Sequence, residues 1–233
     1  MQKVGDFWVP DVDLRWFRNR RKTLENFAEG RQGKQTGHVL EAMACIEAAE
    51  GAEAMAAATA IDAGANVGAY ARAMAGAFGH VHAFEPAPDT FACLARNIAD
   101  WGLADRITAH PNALSAAEEG VSMGSGGFFR RSISREVAGP GEIPAIPIDS
   151  LGLADVLFLK LDVEGYELKV LNGAAQTLDR CRPYVLMELK ARKLARGTAD
   201  LGPQEFLFTR GYRVLAEIGT PVLDRLYAPQ GRG

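Results

Sequence analysis

Short apolar runs alternate with helical periodicity along most of this chain, and their order predicts a parallel sheet flanked by helices. Over 39–57, Leu40, Met43 and Ile46 share one face with Glu41, Glu47 and Glu50 opposite, which reads as one amphipathic helix packed beside the sheet, with no chemistry of its own. A buried strand then ends on Asp62, a tight turn passes through Gly64 and Gly68, and an alanine-rich helix covers 70–78 with Gly79 as its stop. The strand 81–85 closes on Glu85-Pro86. A helix opened by Pro86-Ala-Pro-Asp follows, with Phe91, Leu94 and Ile98 on one face and Gly102 ending it, and a third strand spans 106–110.

The run Val156-Leu-Phe-Leu-Lys-Leu is what a central parallel strand buried on both faces requires, and its carboxyl end carries Asp162, Glu164, Tyr166 and Glu167. Leu168, Leu171, Ala175 and Leu178 stripe the next helix, and a fifth strand over 184–189 places Glu188 near its end. Pro203 opens a further helix that Gly211 closes. The segments 212–218 and 222–227, joined through Gly219-Thr-Pro, form an antiparallel hairpin.

Two regions break the alternation. Residues 1–36 hold turn chemistry around Phe7-Trp8, a short amphipathic helix over 14–27, and a basic cluster of Arg15, Arg18, Arg20, Arg21 and Lys22 that reads first as a solvated face and second as a clamp for an anionic substrate. Residues 120–147 read as an irregular or hairpin insertion, in which Phe128, Phe129, Arg130 and Arg131 form either a closing lid or an ordinary hairpin. Pro144 and Pro147 confine the extended segment 143–148 to a sheet edge, and Asp149-Ser150 caps a short helix.

Chemistry concentrates at the turn Asp62-Ala-Gly-Ala-Asn-Val-Gly. Its glycines let backbone approach a ligand, and the helix start offers free N–H groups to an anion. A dinucleotide fingerprint needs a second glycine where Asn66 stands, so the fit to a pyrophosphate is poor. Glu85 at the next strand end can accept hydrogen bonds from both ribose hydroxyls, which implies an adenosine-like ligand. Asn112, after the third strand, is either an amide for the adenine edge or a plain turn residue.

Together, Asp62-Ala-Gly-Ala-Asn-Val-Gly, Glu85-Pro-Ala-Pro, Ala113-Leu-Ser and Leu159-Lys-Leu-Asp-Val-Glu-Gly-Tyr-Glu resemble the FkbM family of S-adenosylmethionine-dependent methyltransferases, over about residues 59–188. The resemblance implies an α/β, Rossmann-like class I methyltransferase fold: a mostly parallel seven-stranded sheet, helices on both faces and a C-terminal antiparallel hairpin. Residues 37–233 would form that domain and 1–36 an extension that packs on it or selects the acceptor. The implied cofactor is S-adenosyl-L-methionine, held by Asp62, Gly64, Ala65, Asn66, Gly68, Tyr70, Glu85, Pro86, Asn112, Ala113 and Asp162. Asp62 would orient the turn or meet the donor's ammonium. The implied reaction is O-methylation of a sugar or secondary metabolite, with Asp162, Glu164 and Glu188 as candidates for taking the hydroxyl proton. His82 and His110 read as packed or edge residues, and no metal site is expected.

Composition narrows the rest. The 233 residues are 48% hydrophobic, enough for one sizeable core, and a net charge of -3 offers no general field for nucleic acid. Cys45, Cys93 and Cys181 match neither a metal knuckle nor a disulfide framework, and no apolar run is long enough to span a bilayer, so a soluble cytoplasmic protein is expected. The expected partner is a small-molecule or glycan substrate, with a homo-oligomer left open. An NAD-dependent oxidoreductase and a noncatalytic nucleotide-binding module are the alternatives; Asn66 and the terminal hairpin count against the first.

Overall fold

A computed structural model describes residues 1–11, 36–123, 137–163, 165–188, 201–219 and 224–232. The chain begins with a small antiparallel hairpin, β1 (Gln2–Val4) and β2 (Phe7–Val9). Two helices follow, α1 (Thr36–Glu50) and α2 (Ala52–Ala57), where the hydrophobic pattern predicts one; the chain turns at Gly51, whose φ of 86° no helix contains. Next come β3 (Thr59–Ala63), α3 (Ala69–Ala75), β4 (His80–Phe84), α4 (Pro88–Asp100) and β5 (Ile107–His110), each within a few residues of its predicted span. Proline in the first turn of α4 suits a position whose N–H has no helical partner, and Leu94 and Ile98 turn its apolar face to the sheet.

The insertion and the residues just before it form β6 (Ala113–Leu114), β7 (Glu119–Met123), β8 (Val137–Pro140) and β9 (Ile143–Ile146), in the order β6-β9-β7-β8. Contrary to expectation, β9 lies inside this sheet, between β6 and β7. Its proline is tolerated because β6 pairs only with Ala145 and Ile146, so Pro144 stands just before that ladder. Asp149 lies within a 3-10 turn, Ile148–Leu151. Its carboxylate accepts from the N–H groups of Gln176 and Thr177, at 2.9 and 2.8 Å, capping a helix further along the chain. The predicted lid residues Phe128, Phe129, Arg130 and Arg131, the helix over 14–27 and its basic cluster lie outside the described residues.

The chain finishes with β10 (Val156–Leu161), α5 (Glu167–Asn172), α6 (Ala175–Cys181), β11 (Tyr184–Glu188), α7 (Gly202–Thr209), β12 (Tyr212–Ile218) and β13 (Asp224–Pro229). The stripe expected of one helix is shared by α5 and α6, which part at Gly173. Among the described residues the main sheet has seven strands, ordered β12-β13-β11-β10-β3-β4-β5. β3, β4, β5, β10 and β11 pair in parallel, and β13 runs antiparallel between β11 and β12. One face carries α1–α4 over Ala60, Val81, Phe158 and Leu186. The other carries α5–α7 over Ile61, Leu159, Val185 and Tyr227. Successive strands run outward from β3 to β5, then resume on its other side with β10, so the direction of winding reverses between β3 and β10. In such sheets the crevice at that reversal is where ligands bind. No helix among the described residues is long and apolar enough to cross a membrane.

Candidate functional site

At the reversal, the loop 64–68 leaves β3 in a conformation that few side chains allow. Gly64 has a φ of 79°, and a Cβ there would stand 2.0 Å from the Asp162 carbonyl oxygen; Gly68, at 93°, would put one 2.7 Å from Leu94 Cδ1. Asn66 takes the remaining left-handed position, with a φ of 52°, and its Oδ1 accepts from Val67 N at 2.8 Å. Asparagine supports this geometry better than most residues, which is why the loop closes without a third glycine. The N–H groups of Gly64 and Ala65 both donate to Phe84 O, at 3.1 and 2.8 Å, fastening the loop to β4.

Glu85 stands at the tip of β4 and is 7% exposed. One oxygen accepts from Asn66 N at 3.0 Å and the other from Ala87 N at 2.9 Å, so the acid is aimed by the loop it faces. A carboxylate has about four acceptor positions, which leaves each oxygen a lone pair for a ligand hydroxyl. Burial pushes the Glu85 carboxyl up to about 7, against the two backbone bonds that favour its charge. Pro86 is half-buried beside it, and Asn112 half-buried between β5 and β6. Ala65 and Ala113 are buried, Ala113 within the small sheet against Val121 and Ala145.

Lys160, unassigned in the sequence reading because it sits in an apolar run, holds the centre of the site. It is 3% exposed, and its Nζ lies 3.0 Å from Asp62 Oδ1, 3.1 Å from Gly64 O, 3.8 Å from Asp162 Oδ2 and 4.7 Å from the centre of the Tyr70 ring. Burial drives Asp62 toward its neutral form and Lys160 toward its own. The ammonium opposes the first shift, and the Asp62 and Asp162 carboxylates more than reverse the second, so the two stand as an ion pair. Asp62 is 0% exposed, and the Lys160 ammonium that pairs with it also bonds Gly64 O, which links the carboxylate to the turn. Burial raises the Tyr70 hydroxyl to about 12. A lysine that alternates inward on a fully buried strand was the available signal, since such a charge needs a partner and Asp62 is opposite it in register.

Behind the loop lies the N-terminal hairpin. The buried Asn97 carboxamide donates to Val67 O at 2.8 Å and to Trp8 O at 2.9 Å, and accepts from Trp8 N at 2.5 Å. Phe7 and Val9 pack with Val67 and Cys93, and Phe7 meets the Trp101 ring edge-on. Residues 1–11 are therefore joined to the domain through the back of the glycine loop.

The candidate acids lie further along the same edge. The register puts Glu188 opposite Asp224, and continuing it by one residue brings Asp162 opposite Glu188, so three carboxylates occupy neighbouring strand ends about 4.8 Å apart. Asp162 is 39% exposed at its side chain, and Glu188 is exposed. Glu164 lies outside the described residues. His38, at the start of α1, bonds through Nδ1 to Asp224 Oδ2. Neither residue was singled out by the sequence pattern. His82 and His110 are bonded to each other at 2.9 Å on β4 and β5; burial holds both below the usual imidazole range, His82 down to about 4. Among the described residues no three His, Cys, Asp or Glu side chains gather as metal ligands.

Comparison with known proteins adds sequence and fold. Residues 62–214 match the family described as Methyltransferase FkbM domain. The sequence matches none of the curated proteins. The fold is similar to that of methyltransferase FkbM from Methylobacillus flagellatus KT, with 20% identity and a TM-score of 0.50 over 94% of this chain and 63% of that one. It is also similar to a methyltransferase from Geobacter sulfurreducens, with 16% identity and a TM-score of 0.50 over 95% of this chain and 91% of the other. This chain thus spans less than two thirds of the Methylobacillus protein's length.

Proposed function

The chain belongs to the FkbM methyltransferase family, whose methyl donor is S-adenosylmethionine, and on that premise we propose that it methylates a hydroxyl oxygen of a sugar or other hydroxylated small molecule. The residues present fit the donor: the loop 64–68 presents bare backbone at the end of β3, where Gly64 lies too close to the Asp162 carbonyl to carry a Cβ, and Glu85 offers ribose hydroxyls two aimed oxygens. When bound, S-adenosylmethionine supplies an electrophilic methyl group on a sulfonium sulfur.

The rest is work for this chain's own side chains. Lys160 holds Gly64 O and Asp62 together, so the loop is set before any ligand arrives. Holding two reactants in line at about 3–3.5 Å is worth roughly 7–11 kcal/mol, which makes this rigidity the main catalytic asset. The observation that carries the hydroxyl reading is the row of Asp162, Glu188 and Asp224 at the strand ends beside the loop. Carboxylates only accept hydrogen bonds, so such a floor suits a molecule rich in O–H donors and disfavours a flat apolar one.

The test has two stages. Titration calorimetry with S-adenosylhomocysteine should show binding that Glu85→Ala weakens by at least about tenfold, roughly 1.4 kcal/mol. The protein with methyl-labelled S-adenosylmethionine is then offered a panel of methyl glycosides, polyols, hydroxylated aromatics, amines and carbon acids, and products are read by mass spectrometry. A methyl ether supports the reading. Methylation solely at nitrogen or carbon of amine-bearing and carbon-acid members of the panel defeats it.

A further inference from the structure

We propose that His38 is the general base that takes the acceptor's hydroxyl proton, and that Asp224 is the positioning residue that orients it. The inference rests on the methyl-transfer reading above and names a base that reading leaves open.

The two residues meet at the right place. His38 opens α1, which packs across β11, β12 and α3, and its ring is 10% exposed. Asp224 begins β13. Because β13 runs against its neighbours, its first residue falls at the carboxyl ends of the parallel strands, directly opposite Glu188. Two strand spacings separate it from Asp162, about 10 Å, which leaves a small molecule's width between the dyad and the donor loop. The site's charges reach this far: burial raises the Asp224 carboxyl, its bond to His38 opposes that, and the Asp162 and Lys160 charges act on it as well. Tyr70, on α3, feels Asp224 in turn.

The dyad has the arrangement that proton removal needs. With Asp224 accepting from Nδ1–H, the neutral imidazole is held in the tautomer whose lone pair lies on Nε2. An aliphatic hydroxyl is too weak an acid to ionise unaided near neutrality, and imidazole is matched to that pH. The other candidates are engaged or diluted: Asp162 lies against the Lys160 ammonium, and Glu188 is open to solvent. In the step, the acceptor oxygen forms a bond to the methyl carbon as the carbon–sulfur bond breaks. That bond's electron pair goes to sulfur, giving neutral S-adenosylhomocysteine, and the hydroxyl proton goes to His38 Nε2. Asp224 then faces an imidazolium, which its charge stabilises.

The experiment uses the full chain and the acceptor that the panel yields. In His38→Gln, single-turnover methyl transfer at pH 7 should fall by about 10²- to 10⁴-fold. S-adenosylhomocysteine affinity should stay within about twofold, since the dyad lies three strand spacings from the donor loop. Free imidazole should restore part of the rate in His38→Ala. Asp224→Asn, which keeps shape and loses charge, should slow transfer while preserving donor binding; it carries the test if His38→Gln does not fold. A transfer rate within about threefold of the parent in both variants overturns the base assignment alone. Equal losses of rate and donor affinity also overturn it, by showing that the pair merely ties α1 to β13. A panel with no methylated alcohol overturns both this inference and the reading beneath it.

Discussion

The half of the site proposed to hold the donor, over β3 and β4, and the half proposed to take the acceptor, over β10, β11 and β13, are built on opposite principles. In the first, nearly every polar group is buried and held: Asp62 by Lys160, Glu85 by two backbone N–H groups, Val67 O by Asn97. In the second, Asp162 and Glu188 stand at strand ends with solvent access, and His38 bonds Asp224. A half that binds one fixed molecule gains from being set rigidly in advance. A half that must admit an acceptor and release a larger product gains from open, polar strand ends.

That contrast can be broken most forcefully at Lys160. Lys160→Met leaves the Asp62 carboxylate buried without its counter-charge and should cost about 3–5 kcal/mol of stability in urea melts, part of which Asp62→Asn in the same chain should recover. A loss under about 1 kcal/mol would show that the pair is no more than an exposed contact in effect. Gly64→Ala drives a methyl into the Asp162 carbonyl, and S-adenosylhomocysteine affinity measured by calorimetry should drop by more than about a hundredfold, roughly 2.7 kcal/mol. Asn97→Ala strands Val67 O and both main-chain groups of Trp8. Thermal melts should report about 1–3 kcal/mol lost, with weaker donor binding following because the loop loses its backing.

Smaller effects sharpen the comparison. Glu85 has a folded value of about 7 against an ordinary 4.5, so the native chain holds this proton more tightly than the unfolded one. Stability from this group is fully present below about pH 4.5 and is lost as pH rises through about 7. Donor binding runs the other way, because the ionised acid is the better acceptor of ribose hydroxyls. S-adenosylhomocysteine affinity should fall by up to about tenfold per pH unit below 7, and Glu85→Gln should flatten the profile. Least affected should be donor binding in Glu188→Gln, which lies in the other half. A change beyond about twofold would mean that the two halves are coupled.

The donor half was also the legible half. Asp62, Gly64, Asn66, Gly68 and Glu85 lie within one βαβ unit, where turn geometry, glycine spacing and the strand end constrain one another locally. The terminal hairpin was readable for the same reason, as two apolar strands around a glycine–proline turn. Less could be read where a residue's meaning depends on a distant partner. Lys160 looks like an interruption in a buried strand until Asp62 comes opposite it, and β9 looks like an edge until the two-residue β6 pairs beside it.

By itself, then, the order of residues determined the strands of the main sheet and the helical stretches between them, that the first loop would bare its backbone, and that an acid would face it. These follow from period, turn chemistry and spacing, all of which act over a few residues. Only the tertiary structure decided that Asn97 joins residues 1–11 to the donor loop, that a buried lysine holds that loop shut, and that His38 meets Asp224. Those contacts join residues 30 to 186 positions apart. Nothing short of the strand order β13-β11-β10-β3, reached by packing the whole chain around one sheet, can place such residues within bonding distance.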